Sequence, residues 1–210
     1  PVNLRGTLGT GGITYTWDPV TRDAGGNVLT GAVTYKILES NSPRGPFAEV
    51  ASTSGTAYGL VLSPPPNRYH QVEAECLDLV SGPSPVIDNV GGGRYVYPSS
   101  LGDMAVSPQG LLTGESTAPD TVSVVSRSAE GGLTGFEVTV LTASGGSAGE
   151  VTFSPVGELT MPLGGATEGV RPVEKWMGSH WSLVGSARVG PAGVVTVTIP
   201  RTGIYRLTAA

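Results

Sequence analysis

Short runs of alternating apolar and polar residues, each about one strand long and separated by Gly, Pro, Ser and Asn, constrain this chain more than any other feature. Ile13, Tyr15 and Trp17 share one parity, and Thr14 and Thr16 take the other. Val33, Tyr35 and Ile37 repeat the pattern, followed by Phe47–Val50, Tyr58–Leu62 and Tyr69–Cys76. Successive side chains of an extended chain leave on opposite faces, so each run buries one face and wets the other. Such runs are too short for stable helices, and 32 Gly and 17 Pro in 210 residues leave little room for long ones. The expected fold class is all-β, built as layered sandwiches.

Turn signals divide the chain. Pro43–Pro46 is expected to turn, Pro64-Pro65-Pro66 cannot continue a central strand, and Gly82-Pro83-Ser84-Pro85 precedes the run Val86–Val90. Gly91-Gly92-Gly93 closes the first half. Tyr95–Ala118 is poor in pattern and rich in Pro, Ser and Gly, and reads as a linker. Tyr95 and Tyr97 with Val96 between them alternatively form a short strand docked on either domain. The rhythm resumes with Val122–Ser126, Phe136–Leu141, Val151–Phe153, Leu159–Met161, Trp181–Val184, Val194–Ile199 and Ile204–Thr208. Thr202-Gly203 between the last two runs reads as the turn of a closing hairpin. The expected organisation is a sandwich over residues 1–92, a linker over 93–119 and a second sandwich over 120–210.

The first ninety or so residues resemble a fibronectin type III domain. The resemblance is carried by Pro1-x-x-Leu4, by Trp17-Asp18-Pro19 ending strand B, and by Tyr35 central in strand C. Gly45-Pro46-Phe47 leading to Val50 matches strand C′. Leu62 with Pro64, then Tyr69, Val72 and Ala74, then Gly82 and Ser84 match E, F and the F–G turn. It implies that Trp17 packs between the sheets and that Tyr69 makes the corner hydrogen bond of such sandwiches. Tyr69 is out of step with Val72 and Ala74, which implies either an extra residue near Pro65-Pro66 or a bulge in strand F. In the second half, two tryptophans spaced Trp-x-x-x-x-Trp ahead of a terminal Gly-x-Tyr-x-Leu run resemble, more loosely, Ig-like modules of bacteria and phages. No direct repeat links the halves.

Charge narrows the partners. A formal charge of −5 with only two lysines, Lys36 and Lys175, and ten scattered arginines argues against nucleic acid and against an anionic membrane surface. No segment has the length and hydropathy of a membrane span or the layout of a signal peptide. The lone cysteine, Cys76, shares the parity of Val72 and Ala74 and is expected to be buried. The absence of a disulfide pair points to an intracellular or viral setting rather than a eukaryotic extracellular one. The chain opens on Pro1-Val2-Asn3. That start fits a whole gene product made in the cytosol whose initiator Met has been removed, and a trimmed signal leaves the same start.

Candidate chemistry is sparse. Gly145-Gly146-Ser147-Ala148-Gly149 matches the string around a hydrolase serine, but that elbow needs a strand before it and a helix after it, and a strand-like run follows here. Of the two histidines, His70 belongs to the other half of the chain. His180 has only Glu174 nearby in sequence as a companion ligand, too few for a metal site. Glu73 and Glu75, two apart on one strand face, do not create the cleft that paired acid–base carboxylates require. Gly9-Thr10-Gly11-Gly12 lacks the lysine of a phosphate loop. Trp176 and Trp181 are the most distinctive pair, readable as core packing, as a protein-interface anchor or as a platform for a sugar. Tyr95 and Tyr97 join them as candidate interface residues.

The expectation is a protein with no catalytic, cofactor-binding or metal-binding residues. The family resemblance implies a structural or adhesion role as a virion component of a phage (head decoration, tail or baseplate), made in the host cytoplasm and acting on other structural proteins or on copies of itself. The alternative is a carbohydrate- or cell-wall-binding accessory module of a bacterial extracellular protein.

Overall fold

Alternation becomes strand pairing throughout. A computed structural model of the chain describes residues 1, 3–61, 68–89, 93–107, 121–128, 134–142, 146–164, 166 and 168–209. Among them all regular structure is β-strand, in two compact units, Pro1–Val96 and Tyr97–Ala210. The fold is an all-β sandwich fold.

In the first unit β1 (Arg5–Gly9), β2 (Gly12–Thr16) and β5 (Ala57–Val61) make an antiparallel sheet in the order β1-β2-β5. The facing sheet contains β3 (Thr34–Ser40), β4 (Ala48–Thr53), β6 (Tyr69–Cys76) and β8 (Ile87–Asp88) in the order β4-β3-β6-β8. The short β7 (Leu79–Val80) turns back on β6, and Ile87 pairs with Tyr95. Ile13, Tyr15 and Trp17 project from the first sheet onto Tyr35, Ile37, Val72 and Ala74 of the second, all nearly free of solvent. Trp17 occupies the expected position between the sheets, its ring 5.4 Å from that of Tyr35. The Tyr35 hydroxyl accepts the backbone N–H of Val20 at 2.9 Å, which ties the β2–β3 connection to the core. Cys76 is buried, as its parity requires.

The bulge expected in strand F beside Tyr69 does not occur in its pairing with β3. Pairing of β6 with β3 runs unbroken from Thr34↔Glu75 to Ser40↔Tyr69, so β6 carries no bulge. The irregularity in this sheet lies between Ile37 and Leu38, where β3 meets β4. With the register continuous, Tyr69 faces outward and His70 takes the inward position. Pro64-Pro65-Pro66 and Gly91-Gly92 lie outside the described residues.

Part of the segment read as a linker is strand. The division between the units falls within β9 (Tyr95–Pro98), and β10 (Asp103–Val106) follows after a turn in which the Ser99 N–H donates to the Gly102 carbonyl. Met104 and Val106 of β10 are completely buried in the second unit. Two inward side chains suffice to hold a four-residue strand, but they are too few to stand out among Gly and Ser in the sequence.

The second unit adds β11 (Thr121–Arg127), β12 (Thr134–Leu141), β13 (Thr152–Pro162), β14 (Gly169–Trp176), β15 (Trp181–Val189), β16 (Val194–Arg201) and β17 (Gly203–Leu207). Their order is β11-β12-β17-β14-β15-β16-β13-β10. β15 and β16 share only the pairs Arg188↔Thr196 and Val189↔Val195, so the sheet folds over there into two layers. Phe136, Phe153, Leu159, Met161, Val197 and Tyr205 fill the space between. The expected closing hairpin is absent: β16 pairs with β13 and β15, whereas β17 pairs with β12 and β14. Thr202-Gly203 is therefore an arch between layers. The buried Thr202 hydroxyl holds it by accepting the Val151 N–H at 2.9 Å and donating to the Gly149 carbonyl at 3.2 Å. Beside it the Tyr205 hydroxyl donates to the Arg201 carbonyl at 2.6 Å. A hydroxyl-to-upstream-backbone bond of the kind expected at Tyr69 is thus present at Tyr205 in the second unit.

Candidate functional site

The two tryptophans meet because β14 and β15 form a hairpin. Trp176 and Trp181 are its last paired residues, and the Met177 N–H donates to the His180 carbonyl to close the loop. Gly178 sits in this loop at a φ of 89°, a left-handed conformation that favours glycine. The indoles pack edge to face, centroids 5.4 Å apart at 60°. Both are half-buried, beside exposed Met177 and Leu183.

β17 brings in the rest. Its inward residues are Tyr205 and Leu207, which leaves Ile204 and Arg206 on the outer face. The Arg206 guanidinium lies 4.3 Å from the centroid of the Trp181 ring, and its Nε donates to Glu174 at 2.6 Å. Across the same face Arg127 forms an ion pair with Glu137. Gly135 of β12 pairs with both Arg127 and Arg206 and places no side chain between them. A shallow depression of about 390 Å³ results, lined by Arg127, Ser128, Trp176, Trp181 and Ile204. Each guanidinium here has a carboxylate partner, so the face offers little net charge to a phosphate. It presents aromatic, aliphatic and guanidinium surface, the side-chain types that dominate protein-interface energetics. A flat sugar platform needs an open indole face, and Trp181 has one face under Arg206 while Trp176 meets it at a steep angle.

The other two candidates lie elsewhere. Tyr95 is only 2% exposed, and its hydroxyl donates to the Leu4 carbonyl. Burial pushes its pKa up to about 12. It is a core residue of the first unit and cannot anchor a partner at the surface. Tyr97 is half-buried against the core of the second unit. Sequence reasoning missed Arg206, Ile204 and Met177, although the Gly203-x-Tyr205-x-Leu207 alternation does place Ile204 and Arg206 together on the opposite face.

The remaining motifs resolve into local structure. Ser147 lies between β12 and β13, bridges to Leu141, and accepts the Gly149 N–H at 3.2 Å on its hydroxyl. A strand follows it, as the sequence indicated, while Gly145 lies outside the described residues. His180 is exposed at the hairpin tip with its Nδ1 3.2 Å from the Ser179 hydroxyl. Among the described residues no three His, Cys, Asp or Glu side chains are grouped to hold a metal ion. Glu75 pairs with Lys36 at 2.7 Å on the surface, and this interaction raises the lysine pKa. Among the described residues no helix is long and apolar enough to cross a membrane. No protein-family model matches the chain, and no curated protein matches it.

Proposed function

We propose that this chain is a non-enzymatic structural and adhesion protein that works through protein–protein contact, and that it serves as a component of a phage virion. The observation that carries the contact role is the Trp176–Trp181 pair with Arg206, Ile204 and Leu183 on the outer face of one sheet and exposed Met177 in the adjoining hairpin loop. Aromatic and guanidinium groups at the centre of such a patch supply most of the affinity when a partner excludes water from them. Repetition on a particle makes weak single contacts sufficient. The virion assignment rests on the resemblance of the sequence to fibronectin-type and Ig-like modules, a fold-level argument that leaves the partner to experiment.

The test is co-sedimentation of the purified chain with phage particles, together with its mass in solution across a concentration series. The expected result is recovery with particles or growth into a larger assembly, reduced at least tenfold by Trp181→Ala. A chain that stays an inert monomer and joins no particle overturns the reading. Binding of a polysaccharide at millimolar concentration, lost in the same variant, would instead establish the carbohydrate alternative.

A further inference from the structure

His70 is the only histidine in the first unit and is 1% exposed. Its ring sits where the two sheets face each other and is bonded on both nitrogens. Nδ1 lies 3.0 Å from the Tyr15 hydroxyl of β2, and Nε2 lies 3.2 Å from Glu39 of β3. The same Tyr15 hydroxyl lies 3.5 Å from the backbone carbonyl of Asp88 in β8. Among the described residues, the titratable and charged groups around the ring are Tyr15, Glu39, Arg68, which lies 3.7 Å from Glu39, and Asp88, whose carboxylate is held by Arg94 at 2.8 Å.

We propose that His70 is a proton-responsive bolt between the two sheets of the first unit, in which uptake of one proton reverses the Tyr15–His70 hydrogen bond and loosens this unit in mild acid. In the neutral ring Nε2–H donates to Glu39, and Nδ1 accepts the Tyr15 hydroxyl proton. Protonation puts a hydrogen on Nδ1, which donates to the Tyr15 oxygen, and the tyrosine hydrogen turns to the Asp88 carbonyl. No bond other than N–H forms, and the proton comes from solvent. Every polar atom keeps a partner in both states, but the charged ring is buried and one of its bonds becomes long. Burial lowers the His70 pKa most strongly and Arg68 assists, against the opposing pull of Glu39. A histidine whose folded pKa is lowered binds its proton more readily unfolded. The stability it confers is therefore complete above the unfolded value of about 6.5 and is lost as pH falls below it.

Nitrogen-15 NMR of the full chain tests this, with His180→Gln assigning the two histidines. The expected results are a neutral ring carrying its proton on Nε2, a His70 midpoint below 6.5, and a melting temperature that falls from pH 6.5 downward. Tyr15→Phe removes the acceptor for Nδ1–H, and Glu39→Gln removes the carboxylate that favours the charged ring. Each is expected to lower the midpoint at least threefold in proton affinity, and Glu39, being partly exposed, tolerates change if Tyr15→Phe fails to fold. A neutral ring protonated on Nδ1, a midpoint at or above 6.5, or a midpoint unmoved by Glu39→Gln overturns the proposal.

Discussion

A glycine and two hydroxyls show how single atoms decide this fold. A Cβ on Gly12 would lie 2.0 Å from the Leu60 carbonyl oxygen of the neighbouring strand, whereas one on Gly11 would meet nothing within 4 Å. Gly12→Ala is expected to cost on the order of 3 kcal/mol in urea titration, and Gly11→Ala to stay within about 0.5 kcal/mol. Equal losses from both would remove close backbone approach as the reason. Tyr205→Phe deletes the bond to the Arg201 carbonyl, and Thr202→Ala leaves the Val151 N–H without its acceptor. Each buried group left unpaired costs about 1–3 kcal/mol, so both variants are expected to melt earlier by calorimetry, with unchanged β-sheet circular dichroism. The sequence marks Tyr205 as inward, but nothing in it marks Thr202: one threonine in a turn looks like any other until the chain is seen crossing between layers there.

Strands with strict alternation were legible, and those that interrupt it were not. β2, β3, β6, β12 and β16 lie close to the expected runs because most of their inward residues are Ile, Tyr, Val, Phe and Ala. β14 escaped because its inward positions include Lys175, which is 5% exposed, and because Pro172 sits within it. Both depart from strand chemistry for local reasons. The Lys175 ammonium reaches Glu150 at 3.6 Å over Gly203, and Pro172 lies beyond the Val173–Lys175 stretch that pairs with β17. Missing β14 hid the hairpin, so the tryptophan spacing was visible while its geometry was not. That geometry predicts an exciton couplet in the circular dichroism of the intact protein, which either Trp176→Ala or Trp181→Ala alone should abolish. Because both rings are half-buried, each change should cost about 1–2 kcal/mol, less than the 3–5 kcal/mol of a fully buried aromatic. A surviving couplet in either single variant would mean that the two rings do not face each other.

At the scale of the chain, the all-β sandwich class was readable, and so, as one alternative, was the short strand around Tyr95-Val96-Tyr97, whereas β10 was not, because four residues among Ser, Gly and Pro neighbours are too few to show a period. The two hydrophobic clusters share no residue: Leu4, Ile13, Trp17, Ile37 and Val72 belong to the first, Phe136, Val138, Leu159, Val197 and Leu207 to the second. Among the described residues the second cluster contains more large buried side chains, and unfolding enthalpy and stability grow with the apolar surface buried. Scanning calorimetry is therefore expected to resolve two transitions, with a calorimetric enthalpy above the van't Hoff value and the second unit melting last. Phe136 is completely buried and stacks on Tyr205 at 5.6 Å. Phe136→Ala should lower the upper transition by the equivalent of about 3–5 kcal/mol and leave the His70 resonances where they were. Acidification below pH 6.5 should do the converse, moving the lower transition through His70 while the upper one holds. One cooperative transition displaced equally by both treatments would mean that the two cores fold as a single unit.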